Sequence, residues 1–418
     1  MTLPVGLRAF HHADFRRFFW AQLVAQTGMW MQTVAQAWLV LQLTPSPFKL
    51  GLIGSLQFAP ILLFSIASGA LADRVRKRRL LIGAQAALGG QALGLAALVA
   101  SGRVEYWHVA VLAFGYGLVN VLDQPARQSL VAEMVGRADV ASAVALNSAS
   151  FNAARIVGPA LGGLLIASFG VVPAFVVNGL GCAVAVIMLL GLRTRGAPRT
   201  RSGGGVLDDV GTGLRYAFST PEIRLTLGLL FIVSICVFNF TVYVPLIVRT
   251  VLHLGAEGFG LLMACLGVGA VTGALTVGAL GARRLPAAVL FAAASLACGA
   301  LIALSAARGF WFAAVLLFFT GLFGLVLVAG CNTAMQLAAP DELRGRVMSL
   351  YTLIWGGVFP FGAFIVGFIS EHWGVGRALL MNGTAGLLGV ALLLGWWTLR
   401  AAPVPRAQRQ SGRTGPSA

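Results

Sequence analysis

Apolar stretches of about 20 or more residues run through this chain twelve times, approximately at 18–43, 50–72, 80–100, 107–126, 142–168, 171–192, 223–249, 257–281, 285–306, 309–334, 346–370 and 375–398. Each is as long as a helix must be to cross the hydrocarbon core of a bilayer. Membrane-spanning strands are excluded, because they read as short alternating segments rather than unbroken runs. Composition agrees: 58% of the 418 residues are hydrophobic and 10% charged, where a soluble chain carries about a quarter charged. So little charge also rules out disorder. The expected fold class is an all-α integral membrane protein with twelve transmembrane helices.

A formal net charge of +17 would point to nucleic acid in a soluble domain. Here the thirty basic residues orient the spans instead. Twenty-four lie in or beside the segments on the side of the two termini, and five (Lys49, Arg103, Arg249, Arg308 and Arg377) lie on the other. Arg155 alone sits inside a span. Both termini are therefore expected in the cytoplasm, in a multi-pass inner-membrane protein with no nucleic-acid partner. The opening MTLPVGLRAFHHADFRRFFW is too mixed for a signal peptide and lacks a small-residue cleavage site, so an amphipathic cytoplasmic lead-in is expected.

One long polar stretch, 193–222, interrupts the apolar pattern. It opens RTRGAPRTRSGGG and continues VLDDVGTGLRYAF, where Val206, Leu207, Val210, Leu214, Ala217 and Phe218 recur at helical spacing. Asp208 and Asp209 near its start and Arg215 near its end suit a helix dipole. The segment predicts a cytoplasmic linker with an amphipathic helix, joining a six-helix bundle at 1–192 to another at 223–400. A basic flexible tail, 401–418, follows. LVAEMVGRADVASAVALNS before the fifth span and LAAPDELRGRVMSLYTL before the eleventh are weakly alike. They stand where a parallel duplication into two pseudo-symmetric bundles would place them.

Polar side chains in hydrocarbon are expected to face the bundle interior. The first span carries Gln22, Gln26, Thr33 and Gln36 near one stripe, with Trp30 and Trp38 beside it. Asn120 lies in the fourth span, Asn147, Asn152 and Arg155 in the fifth, and Asn239 and Tyr243 in the seventh. Asn332 is in the tenth, and Tyr351 and Trp355 are in the eleventh. For any single Gln or Asn, amide packing between helices is the simpler role; together they predict a large, aromatic, mostly uncharged substrate cavity. Arg155 lies near the midplane, where an arginine must be paired, hydrated or bonded to carbonyls. With no acid in mid-span, such a cavity is expected to prefer anionic or neutral aromatic molecules to organic cations. Asp123 comes nearest, four residues before Arg127. The two are candidates for proton coupling, or else a plain i,i+4 pair.

The five cysteines fall within apolar runs without metal spacing and are expected to be packing groups. The histidines lie at predicted membrane edges or in tails, and the chain has no HExxH, P-loop lysine or G-x-S-x-G. No enzyme, metal site or cofactor is therefore expected, and without a nucleotide site the driving force must be an ion gradient or the substrate's own.

After the second span the chain reads SGALADRVRKRRLLIG. Gly69 lets helices approach, Asp73 can cap a neighbouring helix N-terminus, and the basic cluster anchors at anionic headgroups. Taken alone, this is also an ordinary basic cytoplasmic loop. The fifth span holds NAARIVGPALGG, where Gly158, Gly162 and Gly163 permit close helix contact and Pro159 permits a bend. Plain glycine-rich packing would give as much in a chain with 53 glycines.

With twelve spans, two halves and a long linker, GALADRVRKRR resembles the G-x-L-x-D-R-x-[GR]-[RK]-[RK] signature of the major facilitator superfamily, although Arg76 stands where glycine is common. The counterpart in the second half, GALTVGALGARR, keeps glycines and Arg283–Arg284 but has no aspartate. The resemblance implies a gating loop at Gly69, Asp73, Arg74, Lys77 and Arg78. NAARIVGPALGG is similar to the G-P-x-x-G-G motif of the superfamily's proton-exchanging exporters, which implies export. GMWMQTVAQAWLVLQLTPSPFKLG, DQPARQSL and PDELRGRVMSLY resemble the enterobactin-exporter and macrolide-efflux branch, over residues 10–400. This implies an alternating-access transporter, expected to be monomeric among membrane lipids, that exports a siderophore such as a catecholate, or a macrolide-like drug, by proton antiport. Uptake or uniport is the alternative within this class; a non-transporting membrane sensor or assembly protein is the alternative outside it.

Overall fold

In hydrocarbon a backbone must satisfy its own N–H and C=O groups, and a helix does so within one segment. A computed structural model of the chain describes residues 5–194, 206–280 and 284–401, and gives the backbone alone at 5–6, 65–74, 137, 206–210, 212–213, 341–342 and 400–401. After a 3-10 turn at Val5–His11, the helices are α1 (Ala13–Leu43), α2 (Pro47–Arg74), α3 (Lys77–Ala100), α4 (Tyr106–Phe169) and α5 (Val172–Leu190). Then come α6 (Val206–Ser219), α7 (Pro221–Cys236), α8 (Phe240–Thr250), α9 (Ala256–Ala279) and α10 (Ala287–Ser305). The last four are α11 (Phe310–Ala338), α12 (Asp341–Gly357), α13 (Phe359–Trp373) and α14 (Val375–Ala401). Among the described residues, eleven segments are long and apolar enough to cross a membrane. The first predicted span lies in α1, a 31-residue helix whose glutamines lower its hydropathy.

Two predicted spans that read as continuous are broken. Between α7 and α8 the Asn239 amide donates to the Ile235 carbonyl at 2.8 Å, and the Tyr243 hydroxyl donates to the Val237 carbonyl. Side chains thus serve carbonyls that a continuous helix would serve from its backbone. Between α12 and α13 the cause is Pro360, which has no N–H to give to the preceding turn. The fourth and fifth predicted spans stand as two spans, Tyr106–Gly136 and Ala138–Phe169, on either side of a turn within α4 at Gly136, whose φ of 70° and ψ of 175° belong to glycine.

In the first part of the chain α1 packs on α4 and α5, α2 on α4, and α3 on α4 and α5. In the second part α9 packs on α11, α10 on α11 and α14, and α7 on α11 and α14. Two extensive crossings join the parts, α4 with α9 and α2 with α13, with smaller contacts of α2 with α12 and of α8 with α1 and α2. Cys182, Cys236, Cys298 and Cys331 are buried and Cys265 half-buried, all as free thiols. Of the linker, α6 is helical, and the Tyr216 hydroxyl donates to the Ala338 carbonyl at 3.2 Å. The tail beyond 401 lies outside the described residues.

Candidate functional site at the seam of the two parts

Glycines make both crossings possible. A Cβ on Gly163 of α4 would stand 2.6 Å from the Ala256 carbonyl oxygen and 2.9 Å from the Gly260 Cα; one on Gly260 of α9 would stand 2.4 Å from the Pro159 oxygen. At the other crossing, a Cβ on Gly51 would meet the Ala363 oxygen at 2.5 Å and the Gly367 Cα at 2.8 Å. Gly158 and Gly162 face a different neighbour: their Cβ atoms would lie 2.5 Å from the Trp30 Cβ and 3.1 Å from the Met31 Cα, both on α1. The GPxxGG segment is therefore a double-sided contact, with α1 of its own part on one side and α9 of the other part on the second.

Both Gly–Gly contacts lie toward the ends of the helices remote from the chain termini, and polar ties across the parts gather there. Glu371, near the end of α13, accepts from the Ser46 hydroxyl at 2.8 Å and from the Phe48 N–H at 3.1 Å, placing a negative charge on the N-terminus of α2. The Arg249 guanidinium of α8 donates to the Leu41 carbonyl, placing a positive charge on the C-terminus of α1. The Ser55 hydroxyl donates to the Pro360 carbonyl at 2.7 Å, and Trp38 stacks on Phe259 with centroids 6.4 Å apart. None of Glu371, Arg249 or Ser55 was singled out by the sequence. The available signal was Ser46-Pro47, a cap followed by proline at the first helical position, which marks a helix N-terminus open to an acid.

At the end bearing the termini, the described ties stay within one part. Lys77, 1% exposed in its side chain, pairs with Glu133 of α4. Arg78 donates to the carbonyls of Leu189, at 2.8 Å, and Leu190, while Arg17 donates to that of Gly191 at 2.9 Å; together they cap the C-terminus of α5 with positive charge. His12 contacts Asp139 at 2.9 Å, and Ser142 accepts from the Ala9 N–H at 3.1 Å. Asp14 accepts from the backbone N–H groups of Arg193 and Thr194 and from the Thr194 hydroxyl, at 2.8–2.9 Å. Burial raises the pKa of Asp14, but these bonds and nearby Arg17 outweigh it and hold the carboxyl below its ordinary value. In the second part Arg284 pairs with Glu222 at 3.2 Å. Of the gating loop, Lys77 and Arg78 are placed as above; Gly69, Asp73 and Arg74 lie in the last turns of α2, where side chains are outside the described residues.

Three glutamines of α1 are bonded inside the first part. Gln36 donates to Gln57 of α2 at 3.1 Å, Gln26 accepts from Ser150 of α4 at 3.3 Å, and Gln32 joins Gln91 and Asn178. Thr33 and Asn120 bond their own helices, through the Met29 and Tyr116 carbonyls. Asn239 and Tyr243 are fully buried at the α7–α8 break, where Asn239 lies against Gly362 of α13. The Tyr351 hydroxyl donates to the Val328 carbonyl at 3.3 Å, and Trp355 meets Phe238 edge-on with centroids 4.5 Å apart. Asp123, 1% exposed, takes the Arg127 guanidinium at 2.9 Å and the Gln85 amide at 3.3 Å. Around that pair is a small cavity lined by Gln22, Gln85, Leu81 and Ala185, into which the Gln22 amide nitrogen and Gln85 oxygen bring no described partner.

Arg155 lies on α4 between the Phe151 and Gly158 turns. Its Nη2 donates to the Asn152 side-chain oxygen at 2.8 Å, while its Nε is buried without an acceptor among the described residues. The Trp30 indole N–H shares that condition. Trp30 meets Phe151 edge-on, with centroids 5.8 Å apart.

Comparison with known proteins gives three concordant findings. The family described as transmembrane secretion effector matches residues 5–410. The chain is 28% identical to the multidrug efflux pump Tap of Mycolicibacterium fortuitum, over 86% of this chain and 90% of that one. It is 24% identical to the enterobactin exporter EntS of Citrobacter koseri, over 92% and 90%. A solved bacterial homolog of the human lysosomal transporter Spinster superposes with a TM-score of 0.72 at 15% identity, covering 96% of this chain and 98% of that one, and so shares the fold.

Proposed function

The chain belongs to the transmembrane secretion effector family of major facilitator transporters, and on that premise we propose that it exports an amphipathic siderophore or drug by proton antiport. It is a multi-pass inner-membrane transporter of small molecules and not an enzyme. Beyond that, twelve spans form bundles at 1–192 and 223–400, joined by the linker 193–222 and followed by the tail 401–418, with both termini in the cytoplasm. The chain works as a monomer.

One observation carries the alternating-access part of this proposal: among the described residues, polar ties crossing between the parts gather at the end remote from the termini, while those at the terminal end stay within a part. With the termini cytoplasmic, this is the conformer that loads substrate from inside. Export is favoured by the resemblance of NAARIVGPALGG to the motif of proton-exchanging exporters and by relatives that are a multidrug efflux pump and an enterobactin exporter. Asp123, buried beside Arg127, Gln85 and a small cavity, is the proposed coupling carboxylate.

Inside-out vesicles test the proposal. Acidifying their lumen should drive uptake of erythromycin or a tricatecholate siderophore, and Asp123→Asn should abolish that accumulation while leaving substrate binding within about twofold. Accumulation by wild type in right-side-out vesicles instead would make the protein an importer. Wild-type rates in Asp123→Asn would place coupling elsewhere.

A further inference from the structure

We propose that Arg155 and Trp30 form a two-donor site for the anionic oxygen of an aromatic substrate, with Asn152 as its positioning residue. The inference rests on reading the seam as the translocation path. Phe151, Arg155 and Gly158 recur at i, i+4 and i+7, so they share one face of α4. Both flanking members touch Trp30: Phe151 through its ring, Gly158 through the 2.5 Å approach of its missing Cβ. Trp30 therefore lies along the turn that carries Arg155. On another side, the Arg155 carbonyl oxygen stands 3.1 Å from where a Cβ on Gly267 of α9 would be. The guanidinium thus springs from the point where α1, α4 and α9 meet, with both parts of the protein contributing.

The hydrogen-bond inventory is incomplete in one direction only. A guanidinium has five N–H donors and an indole one, and neither accepts. Arg155 gives Nη2 to Asn152, whose own Nδ2 donates to the Ser148 carbonyl at 2.8 Å and so fixes which way the amide faces. The Arg155 Nε–H and the Trp30 Nε1–H are buried with no acceptor among the described residues. Among the described ion pairs, none involves Arg155. A cation held this way is costly unless something neutralises it. Two buried donors along one stretch of α4 and a positive charge with no described ion pair call for an oxygen anion: a carboxylate, a phenolate or a catecholate. The rings of Trp30 and Phe151 would hold the aromatic body attached to it.

Equilibrium dialysis on the full-length protein in detergent micelles, with three probes of one shape, tests this: 2-naphthoate, the neutral 2-naphthamide and the cationic 2-naphthylmethylammonium. Wild type should bind the anion about tenfold or more tighter than either other probe. Arg155→Gln should bring naphthoate down to the level of the amide, and Trp30→Phe, which keeps a ring but loses the donor, should weaken it about threefold or more. Asn152→Asp sets a carboxylate where the guanidinium already bonds, so it should fold and lose the preference for the anion. Equal binding of the three probes by wild type would mean that the donors hold water, and would overturn the site. So would an unchanged preference in both Arg155→Gln and Asn152→Asp. Dialysis needs no gradient, so this result is separable from export. A protein that accumulates erythromycin without an Arg155-dependent preference loses only this inference; one that prefers the anion but never accumulates loses only the export proposal.

Discussion

Asp14 stands at the start of α1 and collects three hydrogen bonds from the chain leaving α5, so a single carboxylate ties the first helix of its part to the last. Asp14→Asn should lower stability by ~1 kcal/mol at neutral pH, the worth of a hydrogen bond weakened rather than lost. The sign of the pH dependence follows from the direction of the shift. A carboxyl whose folded pKa is depressed contributes fully above its unfolded pKa of about 3.9, and the contribution fades as pH falls through the folded value. Thermal unfolding in detergent should therefore show a melting difference between wild type and Asp14→Asn that is constant near neutrality and shrinks below about pH 4. A difference that persists undiminished to about pH 3 would mean that the carboxylate's charge has no part in the tie. Sequence alone marks Asp14 only as an acid in a first helical turn, because its partners lie 179 and 180 positions away.

Among the elements, the crossings of α4 with α9 and of α2 with α13 do most of the joining, and both depend on glycine. Gly163→Ala would bring a methyl carbon to 2.6 Å from the Ala256 oxygen, closer than atoms tolerate, so α4 and α9 must separate at the end remote from the termini. Spin labels at the exposed Phe169 and Leu254 should report a longer distance in this variant, and Glu371→Gln, by removing the charge from the α2 N-terminus, should shift it the same way but less. Distances like those of wild type in both variants would remove these contacts from control of that end. Most helices were legible in the sequence to within a few residues, because length and hydropathy set them, but the fourth, expected to end at 126, runs on to the turn at Gly136. The breaks at 237–239 and 358 were not. One needs the Tyr243 hydroxyl to find the Val237 carbonyl, and the other follows from a Pro360 that reads equally well as a bend. Likewise the glutamine stripe of α1 is plain in the sequence, but that Gln36 meets Gln57 and Gln32 meets Asn178 depends on how α1, α2 and α5 are arrayed. Periodicity shows which residues share a face; it does not show which neighbour that face meets.

For the whole molecule, the proposed cycle requires a second conformer, closed where the termini lie. The gating role proposed for Asp73 belongs to that state, in which its carboxylate would cap a helix of the opposite part. Asp73→Asn should shift the balance toward the conformer described above with little loss of folded protein. Cysteine cross-linking across the end that bears the termini should then fall, and unaltered cross-linking with normal transport would dismiss the role. What lets two such conformers interconvert follows from what is missing at the seam. Interlocked side chains must change rotamer before one helix can turn on another, but Gly51 on Gly367 and Gly163 on Gly260 present bare backbone to bare backbone. Such surfaces work as a bearing. The charges on the helix ends then act as a detent, deciding where the rotation rests and not the path it takes, and a single methyl group on the bearing would turn it into a stop.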